Sequence, residues 1–129
     1  MNVPTELKYT DNDEWIQVTA NIGTIGITDH AQNQLSDIVY LELVLSPGEE
    51  GKKGDTCATI ESVKSSADVF LPVSGTIIEI NEALADTPDR INQDPYGEAW
   101  LIKIRLSDPG ELDSLMDSGA YVTRIENKS

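Results

Sequence analysis

Ile60-Glu61-Ser62-Val63-Lys64-Ser65-Ser66-Ala67-Asp68-Val69-Phe70 reads as two short β-runs folded back about a lysine. Thr56 to Val63 and Ala67 to Leu71 carry the apolar spacing of strands, and the serines around Lys64 suit a tight reversal. Lys64 is the only basic residue between Lys53 and Arg90, in a chain with 23 acidic and 9 basic residues and a net charge of −14. Two readings of it stand. In one, Lys64 is a solvated cation that pairs loosely with Glu61 or Asp68, which contributes little. In the other it is an attachment point. An amine at a hairpin tip with small neighbours is open to a modifying enzyme, and a rigid turn fixes its direction.

Working outward, more short strands are expected. Trp15 to Ala20 and Ile22 to Ile27 read as a pair joined at Asn21. Thr28 fits the N-cap of a short helix with Asp29 in its first turn and Ala31 and Leu35 on one face. Ile38 to Leu45 is a β-rich stretch that Ser46-Pro47-Gly48 stops, and Glu49 to Asp55 reads as a loop. Pro72 to Gly75 is a turn before a strand at Thr76 to Ile80. Residues 81–98 read as a long polar connection. Ala99 to Leu106 is a strand with Trp100, Ile102 and Ile104 on one face and Lys103 and Arg105 on the other. Asp108, Pro109 and Glu111 have the order of a helix start, with Leu112, Leu115 and Met116 at helical spacing. Ser118 is the expected cap of a last helix carrying Tyr121, Val122 and Ile125. The glycine, β-run, acid order of 54–61 recurs faintly at 75–79, as two similar halves would produce. The expected fold is mainly β, in one domain over 1–129, with a β core at about 7–106 and a helical segment at about 108–126.

Composition narrows the function. The chain has 129 residues, 39% hydrophobic and 25% charged, which suits one compact domain. Its acidity repels nucleic acid and anionic membrane surfaces and favours docking into basic clefts on partner proteins. No run approaches a membrane span and the start lacks a secretory pattern, so a cytoplasmic address is expected. Cys57 is the only cysteine and His30 the only histidine. A disulfide within the chain and a cysteine- or histidine-rich metal site are therefore excluded, and Cys57 reads as a small buried hydrophobe. No nucleophile motif surrounds Cys57, no triad includes His30, and the acids lack metal-loop spacing, so an enzyme is not indicated.

"ESVKSSADVFLPVSGTIIEIN", "DEWI", "GTIGITDHAQNQLSDIVYLEL", "GKKGD", "INQDPYGEAWLIKI" and "LMDSGAY" run in order from about Leu7 to Tyr121. Together they resemble the glycine cleavage system H protein family. The resemblance implies a lipoyl/biotinyl-type barrel-sandwich hybrid, a flattened β-barrel of two small sheets with a short internal helix and C-terminal helices. It implies lipoic acid in amide linkage to Lys64, an arm reaching on the order of 15 Å from standard bond lengths. It implicates Glu14 and Asp68 in holding the loaded arm, with Asn12 as a polar helper. It also implies a carrier without catalysis of its own, expected to be a monomer. The aminomethyl group of glycine would pass from the pyridoxal-phosphate enzyme glycine decarboxylase to a tetrahydrofolate-dependent aminomethyltransferase. Dihydrolipoyl dehydrogenase would reoxidise the carrier, and lipoyl-attaching enzymes would load it. An H-like protein that mainly relays lipoyl groups to other proteins is the alternative.

This chain departs from the family pattern in places. Asp13 stands where a histidine is usual, Arg90 stands where an apolar residue is more frequent, and Ser46-Pro47-Gly48-Glu49-Glu50 is unusual. Biotin carriers differ by flanking the lysine with methionines, and lipoyl domains of 2-oxoacid dehydrogenases by an Asp-Lys-Ala. The loop Asp94-Pro95-Tyr96-Gly97-Glu98 reads either as a docking segment or as a turn before a core strand. Trp100 is expected in the core.

Overall fold

In the computed structural model, which describes residues 2–128, nine strands and four helices follow one another along the chain. The strands are β1 (Lys8–Tyr9), β2 (Glu14–Thr19), β3 (Ile22–Ile27), β4 (Ile38–Leu43), β5 (Glu50–Gly51), β6 (Thr56–Ser62), β7 (Ser66–Phe70), β8 (Gly75–Ile80) and β9 (Ile102–Leu106). The helices are α1 (Asp29–Leu35), α2 (Glu82–Asp86), α3 (Arg90–Gln93) and α4 (Ser118–Lys128). Two antiparallel sheets result, one of six strands in the order β1-β2-β3-β9-β8-β5 and one of three in the order β4-β6-β7. They do not join into a closed barrel. They share one core, in which Ile25, Ile77, Ile102 and Ile104 of the larger sheet meet Ile38, Leu41, Ile60 and Val69 of the smaller. No helix among the described residues is long and apolar enough to cross a membrane.

Alternation places most side chains as expected. In β9, Ile102, Ile104 and Leu106 are buried while Arg105 is exposed. A register shift in the β6–β7 ladder between Thr56 and Ala58 breaks the alternation, so Cys57 and Ala58 are both buried. Neighbouring residues of β2 are also buried on opposite faces. Ile16 enters the shared core, while Trp15 enters a second cluster with Leu7, Tyr9, Tyr121 and Ile125. Trp15 lies opposite Gly26, and a Cβ there would meet the indole at 2.7 Å. The absent side chain is what lets the indole lie across the sheet. Trp15 Nε1 donates to the Pro95 carbonyl at 3.0 Å.

Several expectations are corrected. The 81–98 connection is not an open loop, because it holds α2 and α3, whose Leu84 and Ile91 are buried. Asn92 pins α3 in place. Its side chain accepts from Ile38 N–H at 2.9 Å and donates to the Ser36 carbonyl at 2.8 Å. Part of the Glu49–Asp55 loop forms β5. The segment after Asp108 is a 3₁₀ helix over Pro109–Ser114, with the Asp108 side chain accepting from Gly110 N–H. Leu115 and Met116 lie beyond it, and Met116 bridges to Tyr9 instead. The last helix is capped by Asp117 rather than Ser118, since Asp117 Oδ1 accepts from Ala120 N–H at 2.8 Å. Ala20 belongs to the turn with Asn21, both at positive φ. Tyr96 is half-buried against Trp15 and Trp100 is partly buried beside the second cluster, so this segment packs inward.

Candidate functional site

Lys64 sits at the tip of the β6–β7 hairpin, exposed, with Glu61 paired to Ser66 at its base. Ser62 organises the turn. Its hydroxyl accepts from Lys64 N–H at 3.2 Å and from Ser65 N–H at 3.0 Å, and donates to the Ser65 carbonyl at 3.0 Å. The Ser62 backbone N–H donates to the same carbonyl at 2.7 Å. Val63 N–H donates to the Asp37 carbonyl at 3.0 Å, tying the tip to the α1–β4 connection. Ion pairs elsewhere in the chain include Arg90–Glu98, Lys103–Glu79 and Arg124–Asp11, and among the described residues Lys64 joins none. The expected loose pairing of Lys64 with Glu61 or Asp68 is therefore not formed. The result is a fixed turn that presents an amine with no charged partner.

Asn12, Glu14 and Asp68 come together at one cleft of about 160 Å³ at the seam between the sheets. Ile27 and Leu35 from one side and Ile60, Ala67 and Val69 from the hairpin strands give it an apolar wall. Lys64 is not part of that lining. Glu14 comes from β2 of the larger sheet and Asp68 from β7 of the smaller, so the cleft exists only where the two sheets meet. Asp68 is exposed, and Thr59 Oγ1 donates to its Oδ1 at 3.3 Å. Asn12 is an exposed rim residue whose N–H donates to Thr10 Oγ1.

Glu14 is 1% exposed, an unusual place for a carboxyl. Thr10 Oγ1 donates to its Oε1 at 2.6 Å, and Phe70 N–H donates to its Oε2 at 3.0 Å. The second bond links the two sheets. Burial pushes the carboxyl from its ordinary 4.5 up to about 7; the Thr10 and Phe70 donors oppose the rise and the negative charge of Asp13 adds to it. A cation entering the cleft would favour the ionised form and be held by it. On its other side Glu14 borders a second cleft of about 210 Å³ that Lys53 and Phe70 also line.

Residue types alone could not single out Thr10, the Phe70 amide or the Asp37 carbonyl, because backbone groups leave no mark in a sequence. Ser62 did leave one, as a hydroxyl residue two before the hairpin tip. Cys57 is fully buried with its thiol pushed up to about 12 by burial, and takes no part in either cleft's lining. No group of metal-ligating side chains occurs among the described residues.

A family model described as "Glycine cleavage H-protein" matches residues 7–128. The chain belongs to that family. The glycine cleavage system H protein of Thermotoga maritima is 52% identical over 114 residues, covering 88% of this chain and 91% of the relative. That of Symbiobacterium thermophilum is 49% identical over 120 residues, covering 93% of each. The crystal structure of a glycine cleavage system H protein from Mycobacterium marinum superposes with a TM-score of 0.87 at 32% identity, covering 95% of this chain and 98% of that one. The residues at Lys64 fit the covalent lipoyl group that the resemblance implies: an exposed amine without a charged partner, on a turn that three Ser62 hydroxyl contacts hold still.

Proposed function

We propose that Lys64 carries lipoic acid in amide linkage. In this reading a single carrier domain takes the aminomethyl group of glycine from glycine decarboxylase to the tetrahydrofolate-dependent aminomethyltransferase. Dihydrolipoyl dehydrogenase then restores the carrier, and a lipoyl-attaching enzyme loads it beforehand. The expected cytoplasmic address belongs to the same reading. When bound, lipoate supplies a dithiolane whose sulfur chemistry this chain's own side chains lack.

The protein's contribution is to present, orient and shelter. Ser62 and the Val63–Asp37 bond hold the turn that carries the exposed Lys64. The Asn12–Glu14–Asp68 cleft is suited to a protonated amine, with the Asp68 carboxyl exposed at its rim, that of Glu14 buried within and an apolar wall that limits water. The net charge of −14 suits partners whose active-site mouths are basic. Tethering keeps the delivered group at high effective concentration near a docked partner. The observation that carries the reading is the isolated amine on the braced hairpin.

The test is intact mass after incubation with lipoate, ATP and a lipoyl-attaching enzyme, for the wild type and Lys64→Arg. A gain of one lipoyl unit in the wild type and none in the variant is expected. No gain in the wild type, under conditions that load a known acceptor, would return Lys64 to an ordinary surface cation.

A further inference from the structure

The candidate cleft's buried carboxyl belongs to the segment 10–14, and the C-terminal helix holds that segment from outside the cleft. The Tyr121 hydroxyl donates to Asp13 Oδ1 at 2.9 Å and lies 2.7 Å from Thr28 Oγ1. A phenol has one proton. With it directed to the Asp13 carboxylate, Thr28 donates to Tyr121 and accepts in turn from Ala31 N–H at 3.2 Å. Thr28 and Tyr121 are fully buried, and the Tyr121 ring stacks on Tyr9 at 4.6 Å and 8°. Asp13 stands at φ 66°, a left-handed conformation that needs support, and its carbonyl accepts from Thr28 N–H at 3.0 Å. A second tie from the same helix, Arg124 to Asp11 at 3.3 Å, reaches the other side of the segment.

We propose that Asp13 is a positioning residue, through which Tyr121 of α4 holds the segment 10–14 and so sets where the Glu14 carboxyl stands between the two clefts. The inference rests on the amine-holding role proposed above for Glu14. Asp13 itself lines the cleft, so it adds a fixed anion there as well as a tether. The other charged or titratable groups that face Glu14 are Asp68 from β7, Tyr9, Asp11 and Lys53 across the second cleft, and the buried Cys57 thiol. Helix α4 grips two of the acids near Glu14, Asp13 through the Tyr121 hydroxyl and Asp11 through Arg124, and of the two Asp13 is the direct chain neighbour of Glu14.

Two near-isosteric variants separate charge from tether. Asp13→Asn keeps an oxygen that accepts from Tyr121 but removes the charge. Tyr121→Phe keeps the charge but releases it. The readout is the Glu14 side-chain carboxyl, followed by carbon-13 NMR from pH 4.5 to 9 in the unmodified protein. The Glu14 midpoint is expected to fall by on the order of half a unit in Asp13→Asn. In Tyr121→Phe it should rise, since the Asp13 anion loses the hydroxyl that stabilises and restrains it. A midpoint that stays put in either folded variant overturns the proposal. If Tyr121→Phe does not fold, Asp13→Ala against Asp13→Asn decides, since both lose the charge and only alanine loses the bond to Tyr121, and equal Glu14 midpoints in the two overturn the proposal. No lipoyl group is involved, so a failure here leaves the Lys64 reading intact, and a failure of lipoylation leaves the titration result standing.

Discussion

Replacing Glu14 by glutamine tests the energetics of the cleft directly. The Glu14 carboxyl is 1% exposed and titrates near 7 instead of 4.5 in the folded chain. Between those two values the folded state binds more protons than the unfolded state. Stability therefore falls as pH rises from about 4.5 to about 7, and the penalty is complete above 7. At about 1.4 kcal/mol per pH unit the total is about 3.5 kcal/mol, of which about 2.5 kcal/mol falls between pH 5 and pH 8. Glutamine keeps the shape and one acceptor for the Phe70 amide, and it does not titrate. Its amide cannot accept at the second position, a cost of about 1 kcal/mol that is the same at every pH. Urea unfolding of both proteins at pH 5 and pH 8 gives four free energies. The difference between variant and wild type should move by about 2.5 kcal/mol in the variant's favour from pH 5 to pH 8. Other groups titrate alike in both proteins and cancel. A difference that does not change with pH would refute the buried, proton-binding Glu14.

The remaining predictions concern the hairpin and the core. Ser62→Ala removes the hydroxyl that bonds Lys64 N–H, Ser65 N–H and the Ser65 carbonyl. It should cost about 1 kcal/mol in urea unfolding and speed amide exchange at Lys64 and Ser65, whereas unchanged exchange would show that the turn does not depend on it. Cys57, with no exposed surface and its thiol pushed up to about 12, should resist iodoacetamide at pH 8 until the protein is unfolded. Rapid alkylation of the native chain would contradict its burial between β4 and β7.

Much of this fold is written in short-range patterns. The hairpin about Lys64, the turn at Asn21 and the Thr28 cap each depend on a few adjacent residues. The helices of 81–98 are four and five residues long, too short for a 3.6-residue period to show, and single buried anchors such as Leu84 and Ile91 look like chance apolar residues in a polar run. Trp15 beside Ile16 conceals β2's two-faced burial, because the second core that Trp15 enters is built partly from a helix more than a hundred positions away. The same distance hides the Tyr121–Asp13 bond. For the site, resemblance brought forward Lys64, Glu14, Asp68 and Asn12, and the structure gathers the last three around one cleft. Glu14's strong burial was not legible, since the donors that make it tolerable are a threonine hydroxyl and a backbone amide from the other sheet.

The placement of Lys64 at the end of β6 has a mechanical consequence. β6 is the middle strand of its sheet, bonded to β4 on one side and β7 on the other. A partner that holds a group attached at Lys64 pulls along the axis of β6 and β7. Ladder hydrogen bonds lie across that axis, so traction loads them in shear, and several must break at once before a strand slips. The Val63–Asp37 bond spreads part of the load into the chain before β4. With the proposed arm attached, the lysine would work as a handle on a rigid body, and thermal tugging by a docked partner would turn the whole protein rather than peel open its tip.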